Sequence, residues 1–242
     1  MYKNYLFDLY GTLIDINTDE WQKELWQKLS ILYMYKGAKY TADEIAKDYG
    51  RFVDEEKTRV RKRHPEYTQI DIKIEKVFRE LFKQKGVKVT KRDIAEICTA
   101  FRCFSTVYIK LYDGVLDLLN TLNAKGKNIY LLSNAQRGFT ENELNMFGLT
   151  EYFDGIVISS DEECSKPDKH YYDIIIDRYN LDRSKTIMIG NDYISDIKGA
   201  QDAGLSSLYI HQSISPEIKG RLVADYKVMD GDVHKIKELI IK

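Results

Sequence analysis

Phe7-Asp8-Leu9-Tyr10-Gly11-Thr12-Leu13 closes a short apolar run that begins near Tyr5. The run reads as a buried strand, with the carboxylate of Asp8 near its carboxyl end and a glycine turn just beyond. In an open α/β sheet, ligands bind in the crevice outside the carboxyl ends of parallel strands. Asp8 therefore projects into a crevice, and Gly11 lets the backbone approach a substrate closely. That placement suits an aspartyl nucleophile. An ordinary strand-turn acid has the same local sequence, so the rest of the chain decides between the two.

Working outward, further apolar runs bounded by turn residues lie at 128–133, 155–159, 186–190 and 207–210, with a weaker one near 226–229. Helical patterns fall between or after them at 114–125, 138–147, 169–179, 194–203 and 232–241. Continuous apolar strands alternating with helices predict an α/β fold, a doubly wound parallel sheet of Rossmann-like type. One interval breaks the alternation. From Asp15 to Lys110 no strand is evident, and amphipathic stretches at 20–35, 42–62, 69–85 and 91–109 predict an all-helical insertion after the first strand. Thr41 with Glu44, and Thr90 with Asp93, have the spacing of capping boxes and mark two helix starts. The expected organisation is a core of residues 1–14 and 111–242 carrying a helical cap of residues 15–110.

With 242 residues, 43% of them hydrophobic and 31% charged, the composition is that of a globular chain with a sizeable core. A net charge of −1 gives no global reason to expect nucleic acid or an anionic membrane as partner. No stretch approaches a membrane span and the start resembles no secretory signal, so a cytoplasmic location is expected. Cys98, Cys103 and Cys164 form no Cys-x-x-Cys pair and read as reduced thiols. The four histidines have no ligand spacing. Nothing in the sequence sets the oligomeric state.

Three more elements fall at predicted strand ends: Ser133-Asn134, Ser165-Lys166-Pro167-Asp168, and Gly190-Asn191-Asp192-Tyr193-Ile194-Ser195-Asp196. Each alone is an ordinary turn or helix entry. Together with Asp8 they place a nucleophile, a hydroxyl, an ammonium and a carboxylate cluster on one rim. A phosphoryl group needs such a set, with Mg²⁺ and donors to neutralise and orient it while a carboxylate attacks. Mg²⁺ keeps several waters and takes one or two carboxylates, which Asp8, Asp192 and Asp196 can provide.

The order and spacing of these motifs resemble the haloacid dehalogenase superfamily over the whole chain, the insertion matching the helical cap of many members. The resemblance implies that Asp8 attacks, that Thr12, Ser133 and Asn134 hold the transferring group, and that Lys166 stabilises negative charge. It implies Mg²⁺ on Asp8, the backbone carbonyl of Tyr10, and Asp192 or Asp196; Asn191 stands where many members carry an acid. The activity so implied is Mg²⁺-dependent hydrolysis of a small phosphate monoester, an anionic metabolite.

Phosphatases of this superfamily usually carry a second aspartate, a general acid and base, two residues after the nucleophile. Here that residue is Tyr10. Losing a positioned acid–base group costs about 10² to 10⁴ in rate. Tyrosine there resembles the members that hydrolyse 2-haloacids, as does Tyr172, six residues beyond Lys166. Those members also use an arginine of the early cap, for which Arg51 and Arg59 are the candidates, and need no metal. The alternatives are therefore carbon–halogen hydrolysis, or a weakly active protein that binds a phosphorylated metabolite.

The basic run Arg59, Arg61, Lys62, Arg63 and His64 reads first as a solvated helix end before Pro65. Its alternative, through Arg61 and Arg63, is a lip that draws in an anionic substrate.

Overall fold

Every residue of the first strand is buried, and its side chains divide between two apolar layers. The computed structural model describes residues 1–241. The chain runs through β1 (Asn4–Phe7), β2 (Ile14–Thr18), α1 (Lys23–Tyr35), α2 (Ala42–Arg63), α3 (Ile74–Gln84), α4 (Lys91–Ser105) and β3 (Thr106–Leu111). It continues through α5 (Val115–Ala124), β4 (Asn128–Ser133), α6 (Arg137–Met146), β5 (Gly155–Ile158), α7 (Ser159–Glu162), α8 (Lys169–Arg178) and β6 (Thr186–Gly190). A π-helical turn (Tyr193–Lys198) then leads through α9 (Gly199–Asp202), β7 (Ser206–Ile210) and β8 (Tyr226–Val228) to α10 (His234–Ile240).

Six strands form one parallel sheet in the order β5-β4-β1-β6-β7-β8. Alternation sends Tyr5 and Phe7 into one layer, with Ile129, Leu131, Ile187 and Ile189, while Leu6 joins Leu132, Met188 and Tyr171 on the other side. Both faces are covered by helices, which is why these strands are apolar at nearly every position. The chain moves from β1 outward to β4 and β5, then returns to β6 on the opposite side of β1. The order thus reverses beside β1, and the crevice lies at the carboxyl ends of β1 and β6. The doubly wound sheet expected from the sequence is present.

The four helices α1 to α4 pack around a separate apolar cluster that includes Leu25, Trp26, Tyr33, Phe78 and Phe101, and which receives Phe139 from α6. Both expected capping boxes form. Glu44 N donates to Thr41 Oγ1 (3.2 Å) while Thr41 N donates to Glu44 Oε2 (2.8 Å), and Thr90 and Asp93 repeat the exchange.

The interval 15–110 is not free of strands, however. β2 and β3 pair antiparallel, from Ile14 opposite Leu111 to Thr18 opposite Thr106, and Ile14 and Ile16 join the core layer. The expected helix over 91–109 accordingly ends at Ser105, where the β-branched and aromatic run Thr106-Val107-Tyr108-Ile109 favours a strand. The expected helix over 69–85 begins only at Ile74. Residues 67–73 instead form an extended strap along 163–165: Ile70 bridges Cys164, Ser165 N donates to Gln69 O and Asp71 N to Glu163 O.

Among the described residues, no helix is long and apolar enough to cross a membrane.

Candidate active site

Asp8 follows β1 directly, and its N–H donates to Ile189 O of β6 (3.0 Å), which fixes the carboxylate at the order reversal. Lys166 reaches it from the segment after β5: Nζ lies 2.7 Å from Asp8 Oδ1 and 2.7 Å from Asp196 Oδ1. Asn134 holds the Lys166 backbone from both sides, its amide donating to Lys166 O (2.9 Å) and its carbonyl accepting from Lys166 N (2.8 Å). All three charged groups are buried, with relative exposures of 8% for Asp8, 3% for Lys166 and 1% for Asp196. Burial disfavours the Lys166 ammonium, but Asp196 and Asp8 outweigh it and keep it charged above its ordinary range. Burial pushes the Asp196 carboxyl up to about 7, Asp8 adding to the effect and Lys166 opposing it.

Asp196 sits in the π-helical turn, a local irregularity frequent at functional sites. Its Oδ2 accepts from Asp192 N (2.9 Å), and a Cβ at position 190 would lie 2.2 Å from that same oxygen, so Gly190 makes room for the carboxylate. Gly11 has φ +83°, and a Cβ there would meet the Asn191 amide at 2.2 Å. Asp192 turns its carboxylate inward on the chain, where it caps the turn by accepting from Ile194 N, Ser195 N and Ser195 Oγ. Tyr172 is fully buried, and its hydroxyl donates to Ser195 O (2.6 Å). It braces the turn rather than lining the pocket.

Asp8, Tyr10, Asn134, Lys166, Asp192 and Asp196 share a pocket of about 200 Å³. Thr12 and Ser133 are fully buried and do not line it: Thr12 Oγ1 is 3.4 Å from Asp8 Oδ2, and Ser133 Oγ has no hydrogen-bond partner. Sequence reasoning missed Ile214 and Pro216, which wall the pocket from the segment after β7. Their signal was weak, a Ser-Ile-Ser-Pro loop beyond a strand. No residue of the helical insertion lines this pocket.

Tyr10 departs most from expectation. Its hydroxyl points away from Asp8 to α6, where it donates to Glu143 and lies 3.0 Å from Thr140 Oγ1. Arg102 of α4 binds Glu143 (2.6 Å) and lies over the Tyr10 ring, 5.3 Å from its centroid. Burial first, and then the charge of Glu143, raise the phenol well above its ordinary value.

Arg61 and Arg63 lie outside the pocket. Arg63 is bound to Glu163 (2.8 Å), and Arg61 lines a separate hollow with His64 and Tyr67. Arg51 and Arg59 pair with Asp48, Glu55 and Glu56 along their own helix. The basic run is thus a helix end with a bridge to the core.

Among the described residues, no cluster of three or more His, Cys, Asp or Glu is arranged to hold a metal. Two features nonetheless fit Mg²⁺ and a phosphoryl group. Three acids and one ammonium line the pocket, an excess that a divalent cation would offset, and the Ser133 hydroxyl is a buried donor with nothing to bind. Asp8 Oδ2 and the Tyr10 carbonyl are the groups that would hold such an ion, since Lys166 and the Asp192 N–H occupy the oxygens of Asp196, and the Ile194 and Ser195 N–H groups with the Ser195 hydroxyl occupy those of Asp192.

The chain is 29% identical over 150 residues to the pyrimidine 5'-nucleotidase YjjG of Escherichia coli, covering 62% of this chain and 60% of that one. It thus spans about three fifths of that relative's length. The (S)-2-haloacid dehalogenase of a Pseudomonas species is 23% identical over 218 residues, 87% of this chain and 83% of that one. Among solved structures, the magnesium-bound HAD-hydrolase YfnB of Bacillus subtilis superposes with a TM-score of 0.56 at 21% identity, over 98% of this chain and 97% of that one, a likeness of fold. The family model of haloacid dehalogenase-like hydrolases matches residues 2–204, and this chain belongs to that family.

Proposed function

We propose that this hydrolase acts on a small phosphate monoester with Asp8 as nucleophile and Mg²⁺ as cofactor. The observation that carries the reading is the pairing of Asp8 with Lys166 at the mouth of a small polar pocket beside the unpartnered Ser133 hydroxyl. The oxygen of Asp8 forms the bond to phosphorus as the ester oxygen leaves, and water then cleaves the aspartyl phosphate. Lys166 holds Asp8 in place and neutralises charge on the phosphoryl oxygens. Thr12 steadies Asp8 through its second oxygen, and Asn134 fixes the segment that carries Lys166. Bound Mg²⁺ would supply charge stabilisation for the dianion that one ammonium cannot balance.

A second reading is carbon–halogen hydrolysis, in which Asp8 attacks carbon and displaces halide. Tyr10, Tyr172 and the long match to a haloacid dehalogenase favour it. The placement of Arg51 and Arg59 on the outer face of α2 counts against it, because a carboxylate substrate would find neither guanidinium in the pocket. A third is binding of a phosphorylated metabolite with little turnover, which the position of the Tyr10 hydroxyl favours.

Phosphate release from a broad panel of phosphate esters, with Mg²⁺ and with chelator, for the wild type and Asp8→Asn, tests the proposal. Magnesium-dependent release that is lost in the variant is expected. Halide release from 2-haloacids without phosphate release would replace it with the second reading.

A further inference from the structure

We infer that the site acts on phosphoryl compounds whose leaving group departs without being protonated, such as acyl phosphates, phosphoanhydrides and phenolic esters, rather than on esters of simple alcohols. The inference rests on the phosphatase reading above and narrows its substrate class.

When the Asp8 oxygen bonds to phosphorus, the bond between phosphorus and the leaving oxygen breaks and its electron pair leaves with that oxygen. A carboxylate, whose acid has a pKa near 4, or a phenolate, near 10, leaves as it is. An alkoxide, with an acidity close to that of water at about 16, needs a proton in the transition state. A group must then be positioned to give one.

The side chain two residues beyond Asp8 is not so positioned. The proton of Tyr10 is committed to Glu143, its oxygen is packed against Thr140, and Glu143 is itself anchored by Arg102. Transfer of that proton toward the crevice would leave a buried phenolate beside the Glu143 carboxylate. The other titratable groups of the pocket are occupied as well. Lys166 spans Asp8 and Asp196, Asp196 accepts from Lys166 and Asp192 N, and Asp192 accepts from the turn it caps. The Ser195 hydroxyl donates to Asp192 (3.1 Å). Among the described residues, each titratable side chain lining this pocket already has hydrogen-bond partners, and Lys166, whose third N–H is unassigned, is held between two carboxylates.

The same arrangement affects the second step. Water attacks phosphorus, the bond from phosphorus to Asp8 breaks, and the protons of that water pass to the released phosphate and to solvent. Without a positioned base this step lags, so the aspartyl phosphate accumulates.

The test is phosphate release by the full chain with Mg²⁺, on phenyl phosphates of graded leaving-group acidity, acetyl phosphate and glycerol phosphate, with Asp8→Asn as the background. The expected kcat/KM falls steadily with leaving-group pKa, and glycerol phosphate is slower than acetyl phosphate by at least about 10²-fold. Tyr10→Phe changes acetyl phosphate and glycerol phosphate turnover by the same factor, and quenched enzyme carries phosphoryl on Asp8. Glycerol phosphate turned over within about tenfold of acetyl phosphate overturns the inference while leaving the phosphatase reading intact. Selective slowing of alkyl esters in Tyr10→Phe overturns it too, since the phenol would then be the acid. If no substrate yields phosphate above the Asp8→Asn background, the phosphatase reading fails and takes this inference with it. The wild-type series decides without the variant should Tyr10→Phe fold poorly.

Discussion

Asp168 stands two residues beyond Lys166 and joins the strap of residues 67–73 to the rim that carries the pocket. Its Oδ1 accepts from His170 N (2.9 Å) and so caps α8. Its Oδ2 accepts from Thr68 N (2.6 Å), Thr68 Oγ1 (2.9 Å) and Gln69 N (3.2 Å), all in the strap. Truncation by Asp168→Ala removes the cap, about 1 kcal/mol, and also the acceptor of the strap. Hydrogen bonds to a charged group contribute about 1.5–3 kcal/mol each but are not additive, so the strap is assigned about 2–3 kcal/mol as a unit. Asp168→Ala should therefore cost about 3–4 kcal/mol, and Asp168→Asn, which can keep the cap but turns an amide toward the three donors, about 2–3 kcal/mol. Burial raises the Asp168 carboxyl, but the bonds from His170, Thr68 and Gln69 outweigh it and hold the group below its ordinary value. A carboxyl lowered in the folded state stabilises fully above its unfolded pKa of about 3.9 and loses that stabilisation as pH falls through the folded value. The gap between wild type and Asp168→Ala should thus be full at pH 7 and shrink below about pH 4. Urea unfolding measures the gap, and hydrogen exchange at the Thr68 and Gln69 amides locates it. A loss under about 1 kcal/mol with unchanged exchange at both amides would refute this account of the strap.

Three further outcomes are expected. Lys166→Met leaves Asp8 and Asp196 buried without their partner and costs about 3–5 kcal/mol near neutral pH; because Lys166 opposes the rise of the Asp196 carboxyl, its loss lets that carboxyl hold its proton more tightly still, so the deficit should widen as pH rises above about 7, and equal urea midpoint shifts at neutral and alkaline pH would count against this. Gly11→Ala forces alanine to φ +83° against the Asn191 amide and should lower stability by about 1–2 kcal/mol or more, read by thermal melting; an unchanged melting temperature would show that the turn relaxes freely. Arg61→Ala should leave phosphate release unaltered, whereas a loss of about tenfold, ~1.4 kcal/mol of barrier, would restore the basic run as a substrate lip.

The core sheet was legible because its central strands are buried on both faces, which produces the continuous apolar runs around Tyr5, Leu131 and Ile187. The gathering of Asp8, Asn134, Lys166 and Asp196 was legible for a related reason: all four follow strands of that sheet, and topology alone puts strand ends on one rim. What escaped depended on partners far away in the chain. β2 and β3 are short, and each is defined by pairing with a segment some ninety residues distant, so helical periodicity claimed most of β3 and β2 gave no signal of its own. The strap of residues 67–73 is extended because Asp168, Glu163 and Gln69 trade bonds across about a hundred positions. The direction of the Tyr10 hydroxyl depends on Glu143 and Arg102, which no local pattern links to the Asp8 motif. The family resemblance puts Asp192 or Asp196 on the metal; that the Asp192 carboxylate also caps the π-helical turn, accepting from Ile194 N, Ser195 N and Ser195 Oγ, follows from backbone geometry that the motif does not encode.

The pairing of β2 with β3 has a consequence for how such a chain can change over time. Entry to and exit from the helical insertion run side by side, with Ile14 opposite Leu111, so the ends of the inserted segment are fixed together whatever lies between them. Loop-closure entropy grows only slowly with length, and α1 to α4 carry an apolar cluster of their own. The segment can therefore be lengthened, exchanged or rebuilt as a cassette while the sheet keeps its register. A replacement must match the surface offered by Gln136, Phe139, Glu143, Ser159 and Asp168, which meet the present one. The surroundings of the pocket can in this way diverge quickly in a lineage whose Asp8 and Lys166 stay in place.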